Sequence, residues 1–238
     1  MVAHRYLAEH FSIVCESNEV NRNGPVDSGT GRSNKEKSTM RILLVGAAGA
    51  IGSAVEAALG QKHEIIRAGR SSGHVRIDFT DEASIARVFE QSGRLDAVVA
   101  AAGELHFGPF VDMTSAQLAL SIKSKLLGQV NLARFAARYL ADGGSVTLVS
   151  GIIGEQPVAG GASAALVNAA IEGFVLGASV DMPRGIRINA VSPGIVTETK
   201  DLYAPLFDGF EPVSARRVAV AYARSVEGAQ TGQVYRVF

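Results

Sequence analysis

The hydrophobic pattern changes character at Met40. Before it, Ser17 to Lys37 is rich in Asn, Ser, Gly, Glu and Lys and nearly free of apolar residues. Such a stretch cannot bury enough surface to offset the entropy of ordering it, so residues 1–39 read as a disordered tail, or as an over-extended start before Met40. Within it, Tyr6 to Cys15 has the pattern of a short helix. From Met40 on, short apolar runs alternate with segments of helical period. Ile42-Leu43-Leu44-Val45 is uniformly apolar, as a strand buried on both faces requires. Ser53 to Leu59 reads as a helix, His63 to Ala68 as a second strand and Val75 to Asp78 as a short third. Thr80 is placed to cap a helix over Asp81 to Gln91, which carries acids in its first turn and Ile85, Val88 and Phe89 on one face. Leu95 to Ala101 is a fourth strand. Ser115 to Leu140 is a long helical stretch, bent or broken near its middle and ended by Gly143-Gly144. Ser145 to Val149 is a fifth strand, Ala162 to Asp181 a helix stopped by Pro183, and Ile186 to Val191 a sixth strand. Val213 to Ser225 is a last helix and Gln233 to Phe238 a last strand.

Alternating strands and helices predict an α/β fold, with a parallel sheet covered on both faces. Right-handed crossovers then bring the carboxyl ends of the strands, and the ligand crevice, to one edge. The chain has 238 residues, 47% of them hydrophobic, enough for one sizeable core over residues 40–238. Acidic and basic residues balance at 23 each. With neither a basic stripe nor an aromatic ladder, no nucleic-acid partner is expected. No apolar run approaches the ~18 residues of a membrane span. The first residues lack the apolar core of a signal peptide, because Glu9 and His10 interrupt it. The single cysteine, Cys15, excludes an intramolecular disulfide framework. These features fit a cytoplasmic protein with no membrane partner.

Chemistry enters at the turn after the first strand, Gly46-Ala47-Ala48-Gly49-Ala50-Ile51-Gly52. Three glycines at spacing three, between a strand and a helix, have the context of a dinucleotide-binding loop. One permits the tight turn, one lets backbone approach a pyrophosphate, and one lets helix pack on strand. The helix N-terminus offers free N–H groups to phosphate. Gly46, Ala48, Gly49, Ala50, Ile51 and Gly52 are therefore cofactor-binding candidates, and a glycine-rich turn without ligand is the alternative. After the second strand comes Arg70-Ser71-Ser72, with no acid. An acid there would bond both ribose hydroxyls, whereas an arginine accommodates a 2′-phosphate. Arg70 and Ser71 thus favour NADP(H) over NAD(H), the alternative being that Arg70 is a solvated loop cation. Asp78 can accept from an adenine amino group or cap the following helix.

With these residues in place, Met40 to Phe238 resembles the short-chain dehydrogenase/reductase family, in its subgroup that keeps the glycine loop. The matching motifs are that loop, Asp78, Ala100-Ala101-Ala102-Gly103, Ser150, Arg187-Ile188-Asn189-Ala190-Val191-Ser192-Pro193-Gly194, and Thr231-Gly232. They occur in order over about 200 residues. The resemblance implies a single-domain, Rossmann-like, doubly wound parallel sheet and hydride transfer between NAD(P)(H) and a carbonyl or alcohol carbon. It adds Ala102, Gly103, Pro193, Gly194 and Val196 as cofactor-binding residues. It also implies a homo-oligomer formed through the long helices, where Leu118, Ile122, Val130 and Phe135 either support assembly or face the sheet.

The family's catalytic residues are not matched. Its tyrosine and lysine, four apart on one helix face, fall on Ala164 and Asn168. Its serine falls on Gly151, next to Ser150, and its helix asparagine on Lys125. No Tyr-x-x-x-Lys occurs in the chain. Lys125 and Ser150 are the catalytic candidates in their place. A cation at Lys125 would stabilise a developing oxyanion; the alternative is a surface lysine like Lys123. Ser150 can donate a hydrogen bond; His106 either acts as an acid near neutral pH or is a solvated loop histidine; Tyr203, in the segment that closes over substrate in this family, either enters the site or is a loop or core aromatic. Glu198 stands where the family commonly has a threonine that bonds the carboxamide, flanked by Thr197 and Thr199. No metal-ligand spacing occurs. Two function classes follow: an NADP(H)-dependent oxidoreductase on a small, unspecified carbonyl or alcohol with an atypical active site, or a non-catalytic NADP(H)-binding sensor or scaffold.

Overall fold

The computed structural model describes residues 39–238. The expected tail, apart from Thr39, and the short helix at Tyr6–Cys15 lie outside the described residues. Seven parallel strands form one sheet: β1 (Arg41–Val45), β2 (Glu64–Gly69), β3 (Val75–Arg76), β4 (Leu95–Ala100), β5 (Leu140–Val149), β6 (Arg187–Pro193) and β7 (Val234–Val237). Their spatial order is β3-β2-β1-β4-β5-β6-β7. The order reverses beside β1, which pairs with both β2 and β4. That reversal is the switch point at which open α/β sheets bind ligands.

The apolar run of β1 serves two cores, because successive side chains point to opposite faces. Leu43 and Val45 face one core, built with α2 (Glu82–Ser92), α4 (Gly128–Tyr139) and α5 (Ala162–Ala178). Ile42 and Leu44 face the other, built with α1 (Ala50–Leu59) and α7 (Ala215–Glu227). On α7 the buried Tyr222 donates its hydroxyl to the Ala100 carbonyl at 2.9 Å, so the polar end of this core residue is satisfied at the tip of β4.

Several boundaries differ from expectation for local reasons. α1 starts at Ala50, with Gly49 as N-cap, because the glycine turn feeds directly into the helix. α2 is capped by Asp81, whose side chain accepts from Ala83 N–H, while Thr80 donates its own N–H and hydroxyl to Asp78. β3 keeps only two residues. The long helical stretch is α3 (Ser115–Ser121), a π-helical turn over Ile122–Leu127, and α4. In that turn the Gly128 N–H reaches back five residues to the Lys123 carbonyl. Gly128 itself must be small: a Cβ there would lie 2.6 Å from Phe79 Cβ. A short α6 (Lys200–Tyr203) follows β6. No helix among the described residues is long and apolar enough to cross a membrane.

Candidate active site and cofactor cleft

Because all strands run parallel, the segments after β1, β4, β5 and β6 converge at one edge of the sheet, around a cleft of about 530 Å³. The glycine loop forms one wall. Gly46 has φ +88°, and a Cβ there would sit 2.7 Å from the Ala101 carbonyl oxygen. A Cβ on Gly52 would meet the Gly46 carbonyl oxygen at 2.0 Å, so α1 rests directly on the turn. At Gly49 an added Cβ would find only the Gly46 oxygen, at 3.5 Å, and this residue lines the cleft. The first helical bond runs from Ser53 N–H to Gly49. The N–H groups of Ala50, Ile51 and Gly52 precede it and have no intrahelical partner. The three expected roles thus fall on separate glycines: Gly46 turns, Gly52 packs and Gly49 leaves an approach for a ligand. This cradle fits a pyrophosphate.

Of the expected binding residues, Gly49, Ala50, Ile51, Ala102, Gly103, Pro193, Gly194 and Val196 line the cleft with Lys125 and Ser150. Gly46, Ala48, Gly52, Arg70, Ser71 and Asp78 do not. Gly46 and Gly52 shape the wall from behind. Arg70 is exposed and donates to Glu104 on the loop after β4, at 2.7 Å; this ion pair raises its pKa. Asp78 accepts both Thr80 donors through one oxygen, and those bonds lower its pKa. It thus braces Thr80 just ahead of α2, whose cap is Asp81 rather than Asp78. Glu198 accepts from the Ala215 N–H at the start of α7, while Thr199 lines the cleft.

The deep wall belongs to Lys125. It is buried, whereas Lys123 is exposed. Its Nζ donates to the Ser150 carbonyl and to Asn168 Oδ1, each at 2.8 Å. Burial lowers its pKa to about 7, because removal from water disfavours the ammonium. Three groups place it there. The π-helical turn carries it. Gly103, at φ +145°, lets the loop after β4 press on its stem, where a Cβ would lie 2.6 Å from Lys125 Cγ. Gln129, fully buried, donates to the carbonyls of Lys125 and Val149 and accepts from Val149 N–H, tying the turn to the end of β5.

Ser150 contributes differently from expectation. Its hydroxyl donates to Glu172 Oε1 at 2.8 Å, and only its carbonyl serves Lys125. Glu172 in turn lies 3.6 Å from Arg236, which also pairs with Glu155. His106 does not line the cleft; its N–H and C=O are bonded to Ser121 and Ser163. Tyr203 does line it, beside Phe107 at 6.1 Å between ring centroids. Gly151 and Asn168 line the cleft, whereas Ala164, expected at the tyrosine position, does not and is fully buried in a cluster with Ile152 and Ile153. Ile122 and Phe135 pack against the core rather than standing free. Sequence reading missed Asn168 as a partner of Lys125, Glu104 as the partner of Arg70, and Gln129. A signal existed only for Gln129, a polar residue among the apolar positions of its helix.

A protein family described as Enoyl-(Acyl carrier protein) reductase matches residues 45–235. The crystal structure of the protein lin1944 from Listeria innocua is 48% identical, with a TM-score of 0.83 over 84% of this chain and 100% of that one. A small-chain dehydrogenase solved in complex with NADPH is 28% identical, with a TM-score of 0.75 over 84% of this chain and 97% of its own. A curated relative from Escherichia coli (strain K12), the Cyclic-di-GMP-binding biofilm dispersal mediator protein, is 31% identical over 63% of this chain. The match spans 65% of that relative's length, just under two thirds.

Proposed function

The chain belongs to the short-chain dehydrogenase/reductase family, and we propose that it binds NADP(H) in the cleft and reduces a small carbonyl there with a rearranged set of side chains. Members of this family bind a nicotinamide cofactor. The observation that carries the proposal is a single cleft with the glycine cradle at one wall and a buried ammonium at the other. The N–H groups of Ala50, Ile51 and Gly52 would hold the pyrophosphate, and Arg70 with Ser71 the 2′-phosphate. Pro193, Gly194 and Val196, which line the same cleft as Gly103, would flank the nicotinamide. The cofactor supplies a hydride when bound. The side of the cleft formed by Leu105, Phe107, Ile152, Ile153 and Phe207 is apolar, which suits a small hydrophobic substrate. Exposed Leu166 and Leu176 on α5 support assembly into a homo-oligomer.

A second reading is a non-catalytic NADP(H)-binding protein. Two observations favour it: Ala164 offers no proton where the family has a tyrosine, and the Ser150 hydroxyl is committed to Glu172. The Escherichia coli relative is named for binding cyclic-di-GMP, which suggests a binding role in this family beyond the cofactor. Titration with NADPH and NADH tests what the readings share. NADPH is expected to bind more tightly, and no binding below millimolar concentration overturns both. A screen of small ketones and aldehydes that follows NADPH absorbance then separates them. Bound NADPH that no carbonyl oxidises leaves the second.

A further inference from the structure

We propose that Lys125 is the group that protonates the substrate oxygen and that Asn168 is the positioning residue that aims it, the two having exchanged walls of the cleft relative to the family pattern. The inference rests on the oxidoreductase reading above and assigns its proton. In the family pattern the asparagine comes from the helix before β5 and the lysine from the helix after it. Here Lys125 comes from the first and Asn168 from the second, and they meet at 2.8 Å. Gly151 completes the exchange. At the position where the family has a serine, a Cβ would lie only 3.0 Å from Asn168 Nδ2. The missing side chain is the space that the Asn168 carboxamide fills.

An ammonium has three N–H donors. Two are fixed, on Asn168 Oδ1 and on the Ser150 carbonyl, each at 2.8 Å. The third has no protein acceptor among the described residues, and Lys125 lines the cleft. It is the donor left for a ligand oxygen. As hydride adds to the carbonyl carbon, the carbon–oxygen π pair moves onto oxygen. The Lys125 N–H bond then breaks, its electron pair stays on nitrogen, and an O–H bond forms. The two electrons of the reduction arrive with the hydride, and the neutral amine regains a proton from solvent. Burial places the lysine near pH 7, where both of its forms are populated. The titratable groups on the elements around it are Glu104 and His106 on the loop after β4, Glu172 on α5, Lys123 on its own turn and Tyr203 across the cleft. None of them contributes to the shift.

Lysine Cε resonances of the full chain, recorded without cofactor across pH 5–11, test this, with Lys125 assigned by its loss in Lys125→Met. The wild-type signal is expected to titrate at about 7. Asn168→Asp should move it up by about one pH unit or more through the added charge, and Asn168→Leu should move it down by removing an acceptor. The lysine-dependent limb of the pH profile for carbonyl reduction should shift in the same direction in Asn168→Asp. A Lys125 signal that stays in place in Asn168→Asp, or a pH profile that ignores its movement, overturns the inference. Asn168→Asp alone decides the matter if Asn168→Leu does not fold. Failure of the wild type to bind NADPH would instead remove the reading beneath it.

Discussion

Arg70 donates to Glu104 at 2.7 Å, spanning β1 to join the end of β2 to the loop after β4. The cation that would receive a 2′-phosphate is thus already paired, so binding must exchange one anion for another. Both side chains are about half exposed, so the pair itself is weak. Glu104→Gln should therefore tighten NADPH about fivefold, the equivalent of about 1 kcal/mol, and leave NADH nearly unchanged. Arg70→Ala should weaken NADPH by about tenfold or more, since it removes a charge-assisted contact. Parallel titrations with the two cofactors check both.

Gly52→Ala should damage fold and binding together. Its Cβ would sit 2.0 Å from the Gly46 carbonyl oxygen, and backbone must move to admit it. Thermal unfolding should show a loss of about 1–3 kcal/mol, with NADPH affinity lost as α1 lifts off the turn. Gly173→Ala is the control. An added Cβ there meets nothing within 4 Å, and the residue lies inside a helix, where alanine is favoured.

Lys125 should make stability depend on pH. Its pKa falls from 10.5 when unfolded to about 7 when folded. Between those values the unfolded chain binds the extra proton, so stability rises with pH across the window, by up to about 1.4 kcal/mol per pH unit. Below about pH 7 both states are protonated and the slope from this group vanishes. Lys125→Met should flatten the dependence between pH 7 and 10.5 in chemical denaturation.

Tyr222→Phe should cost about 1–3 kcal/mol, because the Ala100 carbonyl would be left buried with its tyrosine partner gone. Cofactor affinity should fall modestly as well, since Ala100 leads directly into the loop carrying Ala102 and Gly103. Denaturant melts and NADPH titration measure the two effects.

The sequence made legible whatever is local. The strand Ile42–Val45, the glycine loop and the alternation that defines the sheet all follow from periodicity and turn chemistry within a few residues. Lys125 was legible as an unusual residue, but its burial was not. That depends on a π-helical turn and on Gly103, which no local pattern encodes. The partners were out of reach for the same reason. Asn168 is 43 residues from Lys125 and Glu104 is 34 from Arg70. Only the strand order brings such pairs together. Thr80 misled because two adjacent residues, Thr80 and Asp81, can both cap a helix. Asp78 engaged the first and left the second to do so.

The contact between Gly103 and Lys125 carries a consequence for descent. A Cβ at 103 would lie 2.6 Å from Lys125 Cγ, 2.8 Å from its Cβ and 3.0 Å from its Cα, so glycine is required there by any side chain at 125 and not by the lysine alone. Relatives should therefore retain glycine at 103 whatever residue stands at 125, because the φ of +145° is also one that L side chains rarely adopt. Position 125, 22 residues on, is then the one at which a lineage can exchange its chemistry against a fixed glycine.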